Sequence, residues 1–199
     1  MNDSALTPER ILDAAEEVLR RYGPTKASVV DVARFLDISH GSIYRHFSSK
    51  AALRDAVAER WLHRVSTPLA QIAAAEGPAV ARLHAWFKQL MTLKRQKVLE
   101  DPELFATYSA IAEAARNVVQ AHVDELVQQV AQIIRSGIAS QEFRVADADQ
   151  AARAVFNATI RFHHPAHAGT WSEPEIDADF DQVWQLLLTG LVMGDSASP

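Results

Sequence analysis

Cysteine is absent from this 199-residue sequence. Its absence excludes a disulfide framework, a thiolate metal site and a cysteine nucleophile, and it fits a reducing compartment. No run of about 18 apolar residues occurs either, so no membrane-spanning helix is expected. The first ten residues, MNDSALTPER, are polar and acidic, unlike a secretory signal peptide. A cytoplasmic location without a membrane partner is therefore expected.

A positive net charge is also missing, since the chain carries −5. This balance argues weakly against nucleic-acid binding, but the charges are unevenly distributed. Residues 1–66 hold ten Lys and Arg against nine Asp and Glu, whereas residues 67–199 hold ten against sixteen. A locally basic surface on the first third is compatible with an acidic remainder.

Strand signals are almost absent and amphipathic helical periodicity dominates, so an all-α fold is predicted. In the first helix Pro8 occupies the first turn, and Gly23-Pro24 marks the end. Asp31 completes a capping box that opens the second helix, and a turn at Asp37-Ile38 separates it from a third helix that ends near Phe47. Four capping residues mark the four helix starts in this region: Thr7, Ser28, Ser39 and Ser49.

Longer helices are predicted in the middle of the chain. A weak segment is expected between Thr67-Pro68 and Gly77-Pro78, followed by a helix over about 78–95. From Glu103 to Ser136 there is neither Gly nor Pro, and apolar residues recur on one face. This pattern predicts one very long helix that ends at Gly137.

Two more helices are predicted towards the C-terminus. The first starts at Asp147 or Asp149 and ends near Pro165, and the second starts at Ser172-Glu173-Pro174. Apolar side chains cover more than one face of the last helix, which favours burial against its own subunit and against a partner in a two-fold dimer. A fully buried central helix in a monomer is the alternative. These apolar residues are Phe180, Val183, Trp184, Leu186, Leu187, Leu188, Leu191, Val192 and Met193.

The stretch DISHGSIYRHFSSK, residues 37–50, carries the clearest functional signal. Ile43 and Phe47 are four residues apart and are predicted to point inward. The opposite face then presents a polar set to solvent: His40, Gly41, Ser42, Tyr44, Arg45 and His46. A short helix held in this way fits the DNA major groove, which is about 12 Å wide. The alternative is a set of solvated polar residues between packed helices.

Each outward residue has a predicted role on DNA. Arg45 suits guanine O6/N7 or a phosphate, whereas Ser42 and Tyr44 suit phosphate oxygens. Gly41 allows the backbone to approach the groove. Lys50, in the first turn of the fourth helix, suits a phosphate. Base discrimination is expected mainly from His40, Gly41, Ser42 and Arg45.

The segment ILDAAEEVLRRYG…ASVVDVARFLDISHGSIYRHFSSKAALRDAV resembles the tetracycline-repressor (TetR) family of transcriptional regulators over about residues 9–57. The resemblance implies an all-helical homodimer that binds double-stranded operator DNA. It matches family DNA-contact positions to Ser28, His40, Gly41, Ser42, Tyr44, Arg45, His46 and Lys50. In the family, the second helix often carries a polar or basic residue at the position that Val30 occupies here. A DNA contact from Val30 is therefore not expected, and Lys26 is the candidate for a contact with the DNA backbone instead.

The resemblance also implies the domain organisation. Residues 1–48 are expected to form a three-helix DNA-binding head with a helix-turn-helix, and residues 49–199 a larger helical domain for effector binding and dimerisation. The last two helices are expected to form the homodimer interface. The implied function is a ligand-responsive regulator, most simply a repressor that a small-molecule effector releases from its operator. No enzymatic activity and no cofactor are expected.

An effector cavity is expected among the middle helices. Its candidate lining residues are apolar or aromatic, apart from one histidine: Trp61, Trp86, Met91, Phe105, Tyr108, His122, Phe156 and Phe162. Plain core packing is the alternative for each of them. Their composition favours an apolar or aromatic effector. Arg64 and Arg161 are candidate partners of an acidic effector or, alternatively, surface or salt-bridged residues.

The sequence RFHHPAHAG, residues 161–169, suggests a metal site as a rival interpretation. His163 and His167 are four residues apart, and His164 lies between them, so a metal-binding helical protein or enzyme is the competing function. Pro165 distorts the intervening turn, and no carboxylate stands at a completing spacing. A metal site is therefore not expected.

Overall fold

A computed structural model describes residues 6–192, and in this range the chain is helical without a strand. Its helices are α1 (Pro8–Lys26), α2 (Val29–Phe35), α3 (His40–Tyr44), α4 (Lys50–Ala74), α5 (Ala79–Glu100), α6 (Pro102–Ala114), α7 (Arg116–Ala139), α8 (Ala148–Ala158) and α9 (Ile176–Leu191). Two short 3-10 segments, Ile160–Phe162 and Pro165–Thr170, link α8 to α9. The all-α prediction is confirmed. No helix within residues 6–192 is long and apolar enough to cross a membrane.

The chain forms two compact units. The N-terminal unit comprises residues 6–63 and 101–122, and the C-terminal unit comprises residues 64–100 and 123–192. Helices α4 and α7 therefore contribute to both units. The predicted division of the chain at residue 48 stays a prediction.

The predicted caps organise the start of the N-terminal unit. Thr7 accepts a hydrogen bond from the Arg10 amide at 3.3 Å. Helical geometry in α1 is interrupted at Gly23, whose φ of +72° suits a glycine. The capping box of α2 is complete, because Ser28 accepts from the Asp31 amide while Asp31 accepts from the Ser28 amide.

The turn between α2 and α3 is a Schellman motif. The Ile38 amide donates to the Ala33 carbonyl at 3.0 Å, and the Asp37 amide donates to the Arg34 carbonyl at 3.2 Å. Asp37 adopts a φ of +54°, the left-handed conformation that this motif requires. The turn therefore has a fixed geometry, and Ser39 caps α3 immediately after it by accepting from the Ser42 amide at 3.3 Å.

Helix α4 differs from its prediction. Its start is as expected, since Ser49 Oγ accepts from the Ala52 amide at 3.0 Å. The helix does not end at Thr67-Pro68 but continues through Pro68 to Ala74. Buried Val65, Leu69 and Ala73 keep its apolar face on the core across the proline, and this burial outweighs the lost hydrogen bond.

The long helix predicted over 103–136 is wrong in two respects. It is divided at Ala115, where φ is −104° and ψ is 50°, into α6 and α7. The second helix passes Gly137 and ends at Ala139. A Cβ at Gly137 would collide with the Phe143 ring and lie 2.8 Å from Ala79 Cβ, so this glycine permits close packing rather than ending the helix.

The C-terminal unit has one apolar core built from α5, α7, α8, α9 and the end of α4. Trp86 is fully buried there, and its Nε1 donates to Gln129 at 3.0 Å. Asp147 caps α8 as predicted, by accepting from the Asp149 and Gln150 amides. The last helix starts at Ile176, two residues beyond the predicted Pro174, without a side-chain cap.

Candidate nucleic-acid interface

Helix α3 has the predicted inward and outward faces. Ile43 is fully buried, and Phe47 is half-buried just beyond the helix. α3 is shorter than predicted and ends at Tyr44 rather than near Phe47. The Phe47 amide still donates to the Ile43 carbonyl at 3.0 Å, so a helical turn carries Phe47 inward. The inward anchoring is thus confirmed for Ile43 and partial for Phe47.

The opposite face of α3 is open to solvent. Tyr44 is 43% exposed. Ser42 is half-buried, and the remaining members of the outward set are exposed: His40, Gly41, Arg45 and His46. These residues form one continuous polar surface with two aromatic rings, those of His40 and Tyr44, in edge contact at 6.2 Å between centroids.

Local hydrogen bonds order this surface. Ser39 Oγ and Ser42 Oγ lie 2.9 Å apart, and Arg45 Nη2 donates to Ser42 Oγ at 3.1 Å. The Arg45 guanidinium is therefore held against α3 by a weak neutral acceptor rather than by a carboxylate. An arginine in this state can exchange its hydroxyl contact for a base edge or a phosphate at little cost.

Two further predicted contact residues occupy helix starts. Ser28 is half-buried, and its hydroxyl serves the capping box by donating to Asp31 as well as accepting from its amide. This hydrogen bond from Ser28 is the main cause that lowers the pKa of Asp31. Lys50 is the exposed first residue of α4. The two other residues considered for DNA contacts near α2 are both exposed: Val30, at 52%, and Lys26.

Ion pairs between α1 and α4 stabilise the N-terminal unit that carries this surface. Arg60 Nη1 donates to Asp13 at 2.8 Å, and Arg60 Nε donates to Glu16 at 2.8 Å. Glu16 is largely shielded from solvent, so the second contact is less screened than a surface pair. Sequence periodicity missed this cluster because its partners are 44 and 47 residues apart.

Four of the predicted effector residues lie in the N-terminal unit, and all four are buried: Trp61, Phe105, Tyr108 and His122. The Trp61 and Tyr108 rings are stacked at 5.0 Å with an interplanar angle of 5°. Phe105 meets Trp61 edge-on at 6.3 Å. Within this unit the residues pack on each other, as core aromatics do.

The other four lie buried in the C-terminal unit: Trp86, Met91, Phe156 and Phe162. Trp86 and Phe156 are 6.5 Å apart between centroids, and Phe162 meets Phe180 edge-on at 5.4 Å. The predicted set therefore falls into one group in each unit. Whether either group lines an effector cavity remains a prediction.

Lys94 was missed by sequence reasoning, although it is 6% exposed on the apolar face of α5. Burial, with the nearby charge of Lys97, lowers the pKa of Lys94 to about 8. Its position three residues after Met91 and four after Leu90 was the available signal, because that spacing places a charge on the core face. His163, 5% exposed, lies close enough that Lys94 adds to the effect of burial, which lowers the pKa of His163 to about 3.

The histidine cluster lacks the geometry of a metal site. The Nε2 atom of His163 lies 3.3 Å from both Thr159 Oγ1 and the Phe156 carbonyl. His164 Nδ1 accepts from the Ala166 amide, and the His164 and His167 rings are 6.3 Å apart. Among residues 6–192, no group of three or more His, Cys, Asp and Glu is arranged to hold a metal ion.

The two arginines considered for an acidic effector are both exposed. Arg161 Nη1 lies 3.0 Å from Asp179, and its Nη2 lies 3.5 Å from Glu173. Arg161 is therefore a salt-bridged surface residue, the alternative given above. Arg64 is exposed on α4.

Comparison with known proteins defines the class of the chain as a helix-turn-helix regulator. The family model for bacterial regulatory proteins of the tetR family matches residues 11–57, and the model for the tetracyclin repressor-like C-terminal domain matches residues 79–184. The chain belongs to the tetracycline-repressor family. The two matched segments cover α3 and its supporting helices at one end and the C-terminal core at the other.

Individual relatives match over shorter stretches or at lower identity. The uncharacterized HTH-type transcriptional regulator YvdT of Bacillus subtilis is 44% identical over 54 residues, 27% of this chain and 28% of that protein. The chain thus matches only about a quarter of that relative's length. SmeT, the repressor of the Stenotrophomonas maltophilia multidrug efflux pump SmeDEF, superposes with a TM-score of 0.67 at 20% identity, over 100% of this chain and 96% of SmeT. FadR of Bacillus subtilis, solved with stearoyl-CoA, gives 0.64 at 17% identity, over 92% and 99%.

Proposed function

We propose that this chain is a ligand-responsive repressor that binds operator DNA through α3. The observation that carries the proposal is the combination of a fully buried Ile43 and an exposed Tyr44 on one five-residue helix with an exposed Arg45 directly after it. Such a helix is too short to be stable alone, so its rigid support by the Schellman turn and by Ile43 favours a surface read by another molecule. Family membership supports DNA as that molecule.

A gel-shift experiment with the DNA upstream of the chain's own gene tests the proposal. A specific complex at nanomolar protein concentration and moderate salt is expected, because two supported recognition helices supply both phosphate and base contacts. If no complex forms with that DNA or with a library of random duplexes, the repressor function is wrong.

The outward residues divide into phosphate and base contacts. Tyr44→Ala and Lys50→Ala are expected to weaken binding to all sequences, and Lys50→Ala lowers the salt slope by about 1. Arg45→Ala is expected to cost about 1–3 kcal/mol and to change the preferred sequence. The measurement is a binding titration at several salt concentrations, followed by selection from a randomised operator.

Arg20→Ala is a matched control for these variants. Arg20 lies on α1 and pairs with Glu17 at 3.5 Å, so its removal changes the charge of the unit without touching α3. Little change in affinity and none in sequence preference are expected for it. If the Arg45 and Lys50 variants have the same salt slope and the same preference, the division of roles is wrong.

A homodimer through α8 and α9 completes the proposal. α9 buries Phe180, Trp184 and Leu191, yet Leu186 on the same helix is 75% exposed. Val183 and Leu188 are only half-buried. Met193, also predicted on this surface, lies outside the described residues. A two-fold partner on this face would cover the apolar surface and would place two recognition helices on successive major grooves, about 34–36 Å apart.

The effector is proposed to be an apolar or aromatic compound that binds at one of the two groups of predicted lining residues described above. SmeT has been solved with triclosan and FadR with stearoyl-CoA, and both ligands have large apolar parts. An effector releases the operator only if it binds the DNA-free conformation more tightly. A thermal-shift screen with apolar compounds, followed by gel shifts with each compound that raises Tm, tests this part. Stabilising compounds that leave DNA binding unchanged would contradict it.

A further inference from the structure

The N-terminal unit contains a pocket whose lining includes none of the predicted effector residues but shares Ser28 and Lys50 with the proposed DNA contacts. It has a volume of about 80 Å³ and opens between α1, α2 and α4, with Ile111 of α6 on one wall. The lining is Ala15, Val18, Leu19, Pro24, Ala27, Ser28, Val29, Val32, Lys50, Leu53, Arg54, Val57 and Ile111. All of these residues belong to the same compact unit.

The interior of the pocket is apolar. Val18, Val32, Leu53 and Val57 are each at most 6% exposed, and none of their side chains offers a hydrogen bond. Water in such a space lacks the two to four polar partners that ordered buried water requires. An aliphatic group is therefore the better occupant.

The polar lining residues are Ser28, Lys50 and Arg54. The Ser28 hydroxyl is engaged with Asp31, and Arg54 donates to Asp55 through Nε at 3.2 Å and Nη2 at 3.0 Å. The guanidinium charge is thus partly neutralised. Lys50 is an exposed residue of the lining, so it adds a positively charged side chain to an otherwise largely apolar pocket.

We propose that this pocket binds a short-chain aliphatic carboxylate, with the chain among Val18, Val32 and Val57 and the carboxylate on the Lys50 ammonium. A cavity of about 150 Å³ accommodates the six carbons of benzene, so a space of about 80 Å³ accommodates an alkyl chain of roughly three to four carbons, with the carboxylate outside it. The positive charge selects an anion over the alcohol of equal length. Pentanoate matches both requirements.

The same lysine is the proposed phosphate contact of α4. A carboxylate bound to Lys50 competes with DNA for that ammonium, so occupancy of the pocket weakens operator binding. This regulatory consequence rests on the proposed function, whereas binding of the carboxylate does not.

Methyl NMR spectra of the full-length chain test the proposal directly. Addition of sodium pentanoate is expected to shift the methyl signals of Val18, Val32, Leu53 and Val57 with a millimolar Kd, while an equal concentration of sodium chloride leaves them in place. Pentanol is expected to shift the same signals with weaker affinity. If these methyl signals show no shift at pentanoate concentrations up to 50 mM, the site does not exist.

Two variants separate the role of the charge from that of the pocket. Lys50→Gln is expected to weaken pentanoate binding about two- to five-fold, the range of an exposed ion pair, and to leave pentanol binding unchanged. Ala27→Leu narrows the pocket at a half-buried lining position and is expected to abolish both. The control Lys88→Gln, in the C-terminal unit, is expected to change neither. Equal weakening by Lys50→Gln and Lys88→Gln would overturn the assignment of the carboxylate to Lys50.

A gel shift with pentanoate then tests the regulatory consequence. Weaker DNA binding by the unaltered chain, but not by Ala27→Leu, is expected. Methyl shifts without any DNA complex would leave the pocket established and refute the proposed function. A DNA complex without methyl shifts would refute the pocket alone.

Discussion

Lys94 and His163 show how a helical core tolerates ionisable side chains. Burial lowers the pKa of His163 to about 3, so its imidazole is neutral at neutral pH and is satisfied by Thr159 and the Phe156 carbonyl. Burial also lowers the pKa of Lys94, but only to about 8, so its ammonium remains mostly charged at pH 7. The charge is the costlier of the two, because desolvation acts on the charged form.

Replacement of Lys94 by Met is expected to raise the free energy of unfolding by about 1–3 kcal/mol at pH 7, because burial disfavours the charged form of Lys94 in the folded chain, as its lowered pKa indicates. The folded pKa of about 8 lies below the ordinary 10.5, so the unfolded chain binds more protons between these values. The stability of the unaltered chain therefore rises with pH from about 8 to 10.5, and the variant lacks this rise. Urea unfolding at pH 7 and pH 9.5 measures both effects.

Lys88→Met is the matched control on the same helix. Lys88 is half-buried and lies 3.7 Å from Asp177 and from Asp181, so its removal is not expected to stabilise the chain. A Lys94→Met variant that is less stable than the unaltered chain at pH 7 would show that the ammonium makes net favourable contacts.

At the scale of single elements, the sequence predicted local features well. Ser28, Asp31, Ser39 and Ser49 cap their helices as expected, since a cap depends on residues at most three positions apart. The inward position of Ile43 was predictable for the same reason. The continuation through Pro68 was not, because it depends on the burial of α4 in the core, and the break at Ala115 was not, because no Gly or Pro marks it.

The turn before α3 makes its own prediction. Asp37→Val is expected to destabilise the chain by about 1–2 kcal/mol, because a β-branched residue at a φ of +54° is strained. Asp37→Asn should be close to neutral, since asparagine tolerates this conformation. Urea midpoints of the two variants provide the measurement. Equal midpoints would mean that the turn adopts another geometry in solution.

The start of α5 is capped from outside its own sequence. Glu142 accepts hydrogen bonds from the Ala79 amide at 3.0 Å and the Val80 amide at 3.2 Å. The bond from Ala79 is the main cause that lowers the pKa of Glu142 below 4.5. Sequence reasoning could not find this cap, because the carboxylate lies 63 residues beyond the helix start.

Glu142→Ala is expected to destabilise the chain by about 0.5–1 kcal/mol at pH 7, the lower part of the range for the loss of a helix cap. Since the folded pKa is lowered, the stabilisation by the carboxylate is complete above pH 4.5 and is lost as the pH falls below that value. The difference between variant and unaltered chain should therefore narrow in acid, as measured by urea unfolding at pH 7 and pH 3. Glu113→Ala, an exposed site on α6, should show no difference at either pH.

For the whole molecule, Leu186→Glu is expected to convert a proposed dimer into a monomer, because it places a charge on the exposed apolar face of α9. Light scattering should give twice the 22.0 kDa chain mass for the unaltered protein and the single mass for the variant. Operator affinity should fall more than tenfold, since one half-site supplies half of the contacts.

Leu99→Glu is the control for this change. Leu99, at the end of α5, is 73% exposed, nearly the same as the 75% of Leu186, but it lies on a different helix. This variant should remain dimeric. A dimer that survives Leu186→Glu and dissociates with Leu99→Glu would place the interface on α5.

The proline inside α4 has a mechanical consequence. The nitrogen of Pro68 carries no hydrogen, so the turn between Arg64 and Pro68 lacks one backbone hydrogen bond. Arg64 is also the residue at which the C-terminal unit begins. The longest described helix is therefore least stiff over these five residues. Bending there stretches one backbone hydrogen bond fewer than bending at a turn without a proline.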